Sequence, residues 1–163
     1  MIPCLFMGGL MPRDIPYFSG VRIGIGNPLS VRGVRWAGMR LKCVFLDSSD
    51  DYACFWINSG EQALHDYMME FILSVVNLCG SVFVVARGDS SRPYDLKLKN
   101  CLIEVETGLK RSFTALSRRL ATYNEFCFVV VPNVQQKAHY KARLGSFHGR
   151  VVTLRDFASS FKC

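Results

Sequence analysis

Apolar and charged residues alternate with period two along two neighbouring segments, Tyr94-Asp95-Leu96-Lys97-Leu98-Lys99 and Cys101-Leu102-Ile103-Glu104-Val105-Glu106. That period predicts strands. Residues i and i+2 of a strand point to one face. Asp95, Lys97 and Lys99 therefore share one face of the first segment, and Glu104 and Glu106 share one face of the second, with Ile103 and Val105 on the other. Only Lys99-Asn100-Cys101 lies between them, short enough for a hairpin. Pairing then brings Asp95 close to the two glutamates.

The same reading extends along the chain. Met39 to Leu46 and Tyr52 to Ile57 predict two strands, with Ser48-Ser49-Asp50-Asp51 as the turn between them. Asn58 or Ser59 can cap a helix whose first turn holds Glu61 and whose apolar stripe runs Leu64, Tyr67, Met68, Phe71, Ile72, Val75, Val76 to a stop at Gly80. Ser81 to Ala86 is a buried-strand pattern, and 87–93 is a loop before the two carboxylate strands. Leu109 to Asn124 predicts an amphipathic helix, Phe126 to Val131 a strand, Val134 to Leu144 a basic helix, Arg150 to Leu154 a strand and Asp156 to Phe161 a short helix. From about residue 59 the order is helix, three strands, helix, strand, helix, strand: an α/β or α+β layout with a mixed sheet. Residues 1–38, rich in Gly and Pro, read as an irregular or hairpin N-terminal extension, and 39–163 as a single domain. Gly24-Ile25-Gly26-Asn27-Pro28 lacks the strand and helix that a nucleotide-binding glycine loop needs.

A length of 163 residues fits one domain, and half of them are apolar, enough for a full core. Lys and Arg exceed Asp and Glu by 20 to 13, a net charge of +7 that suggests a polyanionic partner. Seven cysteines contain no Cys-x-x-Cys pair and the three histidines are scattered, which excludes zinc-ligand spacing. Cys43, Cys54, Cys101 and Cys127 fall in strand-like runs, where a free thiol acts as a small hydrophobe. The odd count and the lack of a basic leader segment favour a reducing, cytoplasmic setting, with a Cys43–Cys54 bridge left open. The longest apolar stretch, Tyr67 to Ala86, contains Glu70, Asn77 and Gly80 and changes period midway, so it reads as helix then strand rather than a membrane span.

Acidic groups gathered at one place repel unless a cation or a proton lies between them, and clustered carboxylate oxygens suit a hard cation such as Mg2+. The competing reading is a hairpin with one face in water. An acid at the strand turn, an acidic doublet on the next strand and this element order resemble the PD-(D/E)XK nuclease superfamily, which includes restriction endonucleases and archaeal Holliday-junction resolvases. The resemblance covers roughly Ser59 to Leu154 and implies a restriction endonuclease-like αβββαβ core. Asp95 stands for the motif's Asp, Glu104 for its second acid and Glu61 for a helix glutamate that often assists.

The resemblance implies a DNA endonuclease, structure-selective or nonspecific, that needs Mg2+ or Mn2+. Asp95 and Glu104 would hold the ion, with the Val105 carbonyl and Glu61 as further ligands. One departure stands out: Glu106 occupies the motif's lysine position. Lys97 or Lys110 could supply the missing positive charge, Glu106 could be an extra ligand, or the site could be inactive on a fold that only binds nucleic acid. Arg111, Arg118 and Arg119 of the following helix are candidate phosphate contacts, or a solvated helix face. Cutting two strands suits a two-fold symmetric pair, so a homodimer is one expected arrangement. No helix-turn-helix or zinc finger is present to read bases.

Overall fold

Leu96 and Leu98 are fully buried, while Lys97 between them is partly buried and Lys99 is exposed, as the alternating pattern predicts. The computed structural model describes the backbone of residues 13–14, 21–23, 35–36, 39–56, 60–78, 84–87, 94–109 and 112–161, and the side chains of 43–50, 52–53, 62, 64–77, 94–109 and 112–161. The chain is mixed α/β and divides into two compact units, Met1–Tyr67 and Met68–Cys163.

The first unit carries an antiparallel sheet. Its strands are β1 (Arg13–Asp14), β2 (Val21–Ile23), β3 (Arg35–Trp36), β4 (Met39–Leu46) and β5 (Asp51–Trp56), in the order β1-β2-β5-β4-β3. Short strands from the predicted extension thus pair onto the predicted β4–β5 hairpin. The hairpin turns at residues 47–50, where Asp50 adopts a left-handed φ of 49°, a conformation that Asp and Asn tolerate better than most residues. Cys43 lies directly opposite Cys54 in this ladder and is disulfide-bonded. The expectation of reduced strand thiols holds for Cys101 and Cys127 but not for Cys43; directly opposed residues on paired strands are close enough to bridge.

Helix α1 (Gly60–Leu78) contains the boundary between the units and buries Leu64, Met68, Ile72 and Val76 at helical spacing. The predicted caps Asn58 and Ser59 and the predicted stop Gly80 lie outside the described residues. No described helix is long and apolar enough to cross a membrane.

The second unit is built on a mixed sheet of β6 (Val84–Arg87), β7 (Leu96–Leu98), β8 (Cys101–Val105), β9 (Phe126–Val131) and β10 (Gly149–Thr153), in the order β10-β9-β8-β7-β6. β6, β7 and β8 run antiparallel to their neighbours in turn, whereas β8, β9 and β10 are parallel. Parallel neighbours need crossovers, and these are α2 (Phe113–Thr122) between β8 and β9 and α3 (Val134–Leu144) between β9 and β10. α2 and α3 cover one face, burying Leu102, Leu116, Leu120, Cys127, Val129, Val131, Tyr140 and Val151 together. Phe128 points to the opposite face and meets Phe157 of α4 (Leu154–Ser160) at a ring separation of 5.8 Å. β9 is therefore covered on both sides, which explains its unbroken apolar run. Each fully buried Val or Leu here contributes about 1.5–3 kcal/mol.

Local signals set the ends of these helices. Asn133 caps α3 by accepting from the Gln136 amide at 3.0 Å. Thr153 and Asp156 form a reciprocal capping box on α4, which starts the helix at Leu154 rather than at the predicted Asp156. α2 starts at Phe113 rather than Leu109 because Gly108 holds φ +77° and the Thr107 Oγ1 accepts from the Leu109 amide at 3.3 Å, a turn that keeps the chain out of a helix.

Candidate functional site

The β7–β8 hairpin brings the three acids together through its register. Leu96 pairs with Ile103 and Lys97 with Leu102, so Asp95 sits at the end of the ladder beside Glu104. The Asp95 amide donates to the Ile103 carbonyl at 3.2 Å, and the Val105 amide donates to Asp95 Oδ2 at 2.7 Å. Asp95 is thus fixed across the strand from the Glu104-Val105-Glu106 segment, as the period-two pattern implied.

Glu104 points under α2 rather than into water, with 2% of its surface exposed. A buried carboxylate is costly unless it is paired and hydrogen-bonded. Arg119 of α2 and Tyr123, the residue that caps its C-terminus, meet that need. The Arg119 Nε donates to Glu104 Oε1 at 3.1 Å and its Nη2 to Oε2 at 3.4 Å, while the Tyr123 hydroxyl donates to Oε1 at 2.5 Å. The same Nη2 lies 3.7 Å from Glu106 Oε1. From α3, the Tyr140 hydroxyl donates to Glu106 Oε2 at 3.0 Å. One guanidinium therefore bridges both glutamates.

These surroundings shift the pKa values of Glu104, Glu106, Arg119 and Tyr123. Burial raises the Glu104 pKa, and the Asp95 charge adds to that, against the bonds from Arg119 and Tyr123. Glu106 is pushed up to about 7, first by burial and then by the charges of Glu104 and Asp95, with Tyr140 and Arg119 opposing. Burial works against the Arg119 charge, yet the hydrogen bond and charge of Glu104 raise its pKa. Burial and the bond to Glu104 drive the Tyr123 phenol up. The Cys127 thiol is driven up by burial and by Glu104, and the Cys101 thiol by burial, so neither is a poised nucleophile.

The other predicted site residues are placed as follows. The Lys97 ammonium pairs with Glu125 Oε1 at 3.0 Å. Arg118 is exposed on the outer side of α2. Lys110 and Arg111 lie outside the described residues, as does the side chain of Glu61, whose backbone belongs to α1. Arg119, expected as a candidate phosphate contact, holds the acidic doublet in this structure. Tyr123 and Tyr140 both donate into the cluster. The signal for Arg119 and Tyr123 lies in α2 and its C-cap, because Leu116, Arg119, Leu120 and Tyr123 fall at helical spacing in the sequence. A polar pair inside an apolar stripe needs a buried partner.

Among the described residues, no three His, Cys, Asp or Glu side chains gather tightly enough to cage an ion. Carboxylate oxygen is the donor type that a hard divalent cation takes. The counter-charge in this arrangement is the Arg119 guanidinium. No family model matches this chain, and neither a curated protein nor a solved structure does.

Proposed function

We propose that the chain is a metal-dependent DNA endonuclease of the PD-(D/E)XK type, acting on DNA by structure or without specificity. The observation that carries this reading is the Asp95 carboxylate on the Val105 amide at 2.7 Å, which seats the first acid beside the Glu104-Val105-Glu106 segment. The order α1, β6, β7, β8, α2, β9 and the mixed strand directions agree with the αβββαβ core that the resemblance implies. The net charge of +7 favours a polyanionic substrate.

In this reading Asp95 and Glu104 would hold Mg2+ or Mn2+, with the Val105 carbonyl as a further ligand. A bound ion would supply Lewis-acid polarisation of the scissile phosphate and a bound water of lowered pKa. The chain's own residues do the rest. Tyr123 and Tyr140 orient the two glutamates, and α2 shields Glu104 from bulk water, which strengthens electrostatic interactions there. Glu106 supplies no positive charge at the motif's lysine position, and Lys97 is engaged by Glu125. In this reading Arg119, which contacts Glu104 and Glu106, would supply the positive charge there.

A second reading is a catalytically degenerate nucleic-acid-binding protein on the same core. It is favoured by Arg119, which takes both oxygens of Glu104. Labelled linear, single-stranded and branched DNA incubated with Mg2+, Mn2+ or EDTA separates the two. Cleavage that requires the ion and disappears in Glu104→Ala supports the endonuclease. Binding without cleavage under every condition selects the degenerate reading.

A further inference from the structure

Every acidic side chain between Tyr94 and Phe161 is engaged within the second unit. Asp95 accepts from the Val105 amide, Arg119 and two tyrosines hold Glu104 and Glu106, Glu125 pairs with Lys97, and Asp156 pairs with Lys137. Other cations of the unit are left over. Neither α2 nor α3 contains an Asp or Glu. Arg118 on α2 and Lys141 and Arg143 on α3 are exposed, and none of the three meets a carboxylate among the described residues. They lie on the outer side of the layer that the two helices form over one face of the sheet. The Arg143 guanidinium lies 5.9 Å from the centre of the Phe113 ring. That contact holds it at the junction of α3 with α2 and leaves its charge unneutralised. Like charges gathered on one face repel each other, and a polyanion laid across them removes that cost.

The other exposed positions decide which polyanion fits. An anionic membrane needs an apolar helix face to enter it, and a protein partner needs aromatic or aliphatic anchors. Val134, at the start of α3, is the one exposed large hydrophobic among the described residues. The rest of the exposed apolar positions on these helices are alanines, at Ala115, Ala121, Ala138 and Ala142. No Phe, Tyr or Trp of α2 or α3 is exposed, so unpaired bases have nothing to stack on. A duplex, which offers rows of phosphates and keeps its bases stacked, is the polyanion that this surface matches. The B-form major groove is about 12 Å wide and admits an α-helix, whereas the A-form major groove is too narrow for side chains to read. We infer that the outer face of α2 and α3 binds the phosphate backbone of double-stranded DNA through Arg118, Lys141 and Arg143, without reading its sequence. The contact needs no metal ion and does not rest on the endonuclease reading.

The test is the affinity of the full chain for a short DNA duplex of random sequence, measured by fluorescence anisotropy in EDTA over a range of salt. Each phosphate contact contributes about 0.9 to the slope of log affinity on log salt. Arg118→Gln, Lys141→Gln and Arg143→Gln should each lower that slope by about one contact. The triple variant should lower it by about three, with affinity at about 0.1 M salt down by on the order of 10²-fold. Lys99→Gln removes the same charge from the exposed turn between β7 and β8 and should keep the wild-type slope. Circular dichroism checks that each variant folds. If losing Arg143 from the Phe113 ring unfolds the chain, the Arg118→Gln, Lys141→Gln double variant carries the test, with a loss of about two contacts. A wild-type slope in the triple or double variant overturns the assignment, and so does a failure of the wild type to bind. An equal loss in Lys99→Gln overturns it too, by reducing the binding to net charge alone. Tighter binding to an RNA duplex, to single-stranded DNA or to anionic lipid vesicles overturns duplex DNA as the partner. Cleavage is scored separately in Mg2+. Duplex binding through these three residues with no cleavage leaves this surface standing while the endonuclease reading fails, and cleavage with a wild-type slope in the triple variant does the reverse.

Discussion

Tyr140 of α3 and Glu106, the residue just after β8, are joined by a hydrogen bond of 3.0 Å across 34 positions of sequence. Tyr140 is 1% exposed and sits in the α2–α3 side of the core, with its ring edge-on to Phe113 at 4.9 Å. The bond thus ties the packing of that layer to the protonation of an acid at the candidate site.

The first prediction concerns pH. Glu106 is raised from an ordinary 4.5 to about 7 in the folded protein, so the folded state holds a proton that the unfolded state has lost. Stability therefore falls as pH rises through the window from 4.5 to about 7, and is level again above it. At about 1.4 kcal/mol per unit, the total is on the order of 3 kcal/mol. Glu104 is raised too and slopes in the same direction. Glu106→Gln keeps an acceptor for Tyr140 and cannot ionise, so urea unfolding in EDTA should show a shallower fall, with the variant more stable than the wild type at pH 8. Parallel curves for the two proteins would contradict this.

Tyr140→Phe should act in the opposite sense on the same group. The hydroxyl favours the ionised carboxylate, so its removal raises the Glu106 pKa above about 7. The fall in stability then extends to higher pH, and the buried ring leaves the core volume unchanged. Following the Glu106 carboxyl carbon by NMR through a titration measures the shift directly.

Much of the fold was legible in the sequence. The predicted bounds of β4, β9 and α3 coincide with the observed Met39–Leu46, Phe126–Val131 and Val134–Leu144, because each has a clean apolar period closed by a turn or cap residue. The meeting of Asp95 with the Glu104 segment was legible for the same reason: a period of two and a short hairpin leave one register. The partners of those acids were not. Arg119 reaches Glu104 only because the Leu116–Leu120 stripe of α2 docks over β8, and Tyr140 reaches Glu106 from the far side of a second crossover. Such contacts depend on packing between elements distant in sequence, which local periodicity does not encode.

Gly108 marks a position where the backbone, not the side chain, sets the structure. Its φ of +77° lies in the left-handed region, and a Cβ there would come within 2.5 Å of the Gln136 carboxamide. The Gln136 side chain can move aside, but the φ cannot change without altering the exit from β8. Gly108→Ala should cost about 1–2 kcal/mol, read as a lower Tm, and Gly108→Asn should cost less, since Asn tolerates this region. Equal losses in the two variants would assign the cost to crowding rather than to φ.

The last prediction separates the candidate cations. Lys97 and Asp95 share a strand face, yet the Lys97 ammonium is drawn to Glu125 at 3.0 Å, and Glu125 precedes β9. That pair is half-exposed on both sides, and ion pairs so open to solvent contribute little to stability. Arg119 touches both glutamates of the acidic doublet. If positive charge at the site comes from α2, Lys97→Met should leave Tm and the rate of metal-dependent DNA cleavage within about twofold of the wild type, whereas Arg119→Gln should lower that rate by on the order of 10²-fold, the scale of losing one electrostatic contact to a developing charge. Single-turnover assays with saturating Mn2+ make the comparison, because they remove the difference in ion affinity between the variants. A large loss in Lys97→Met with Arg119→Gln unaffected would return the role to the lysine, and would mean that Lys97 leaves Glu125 when DNA binds.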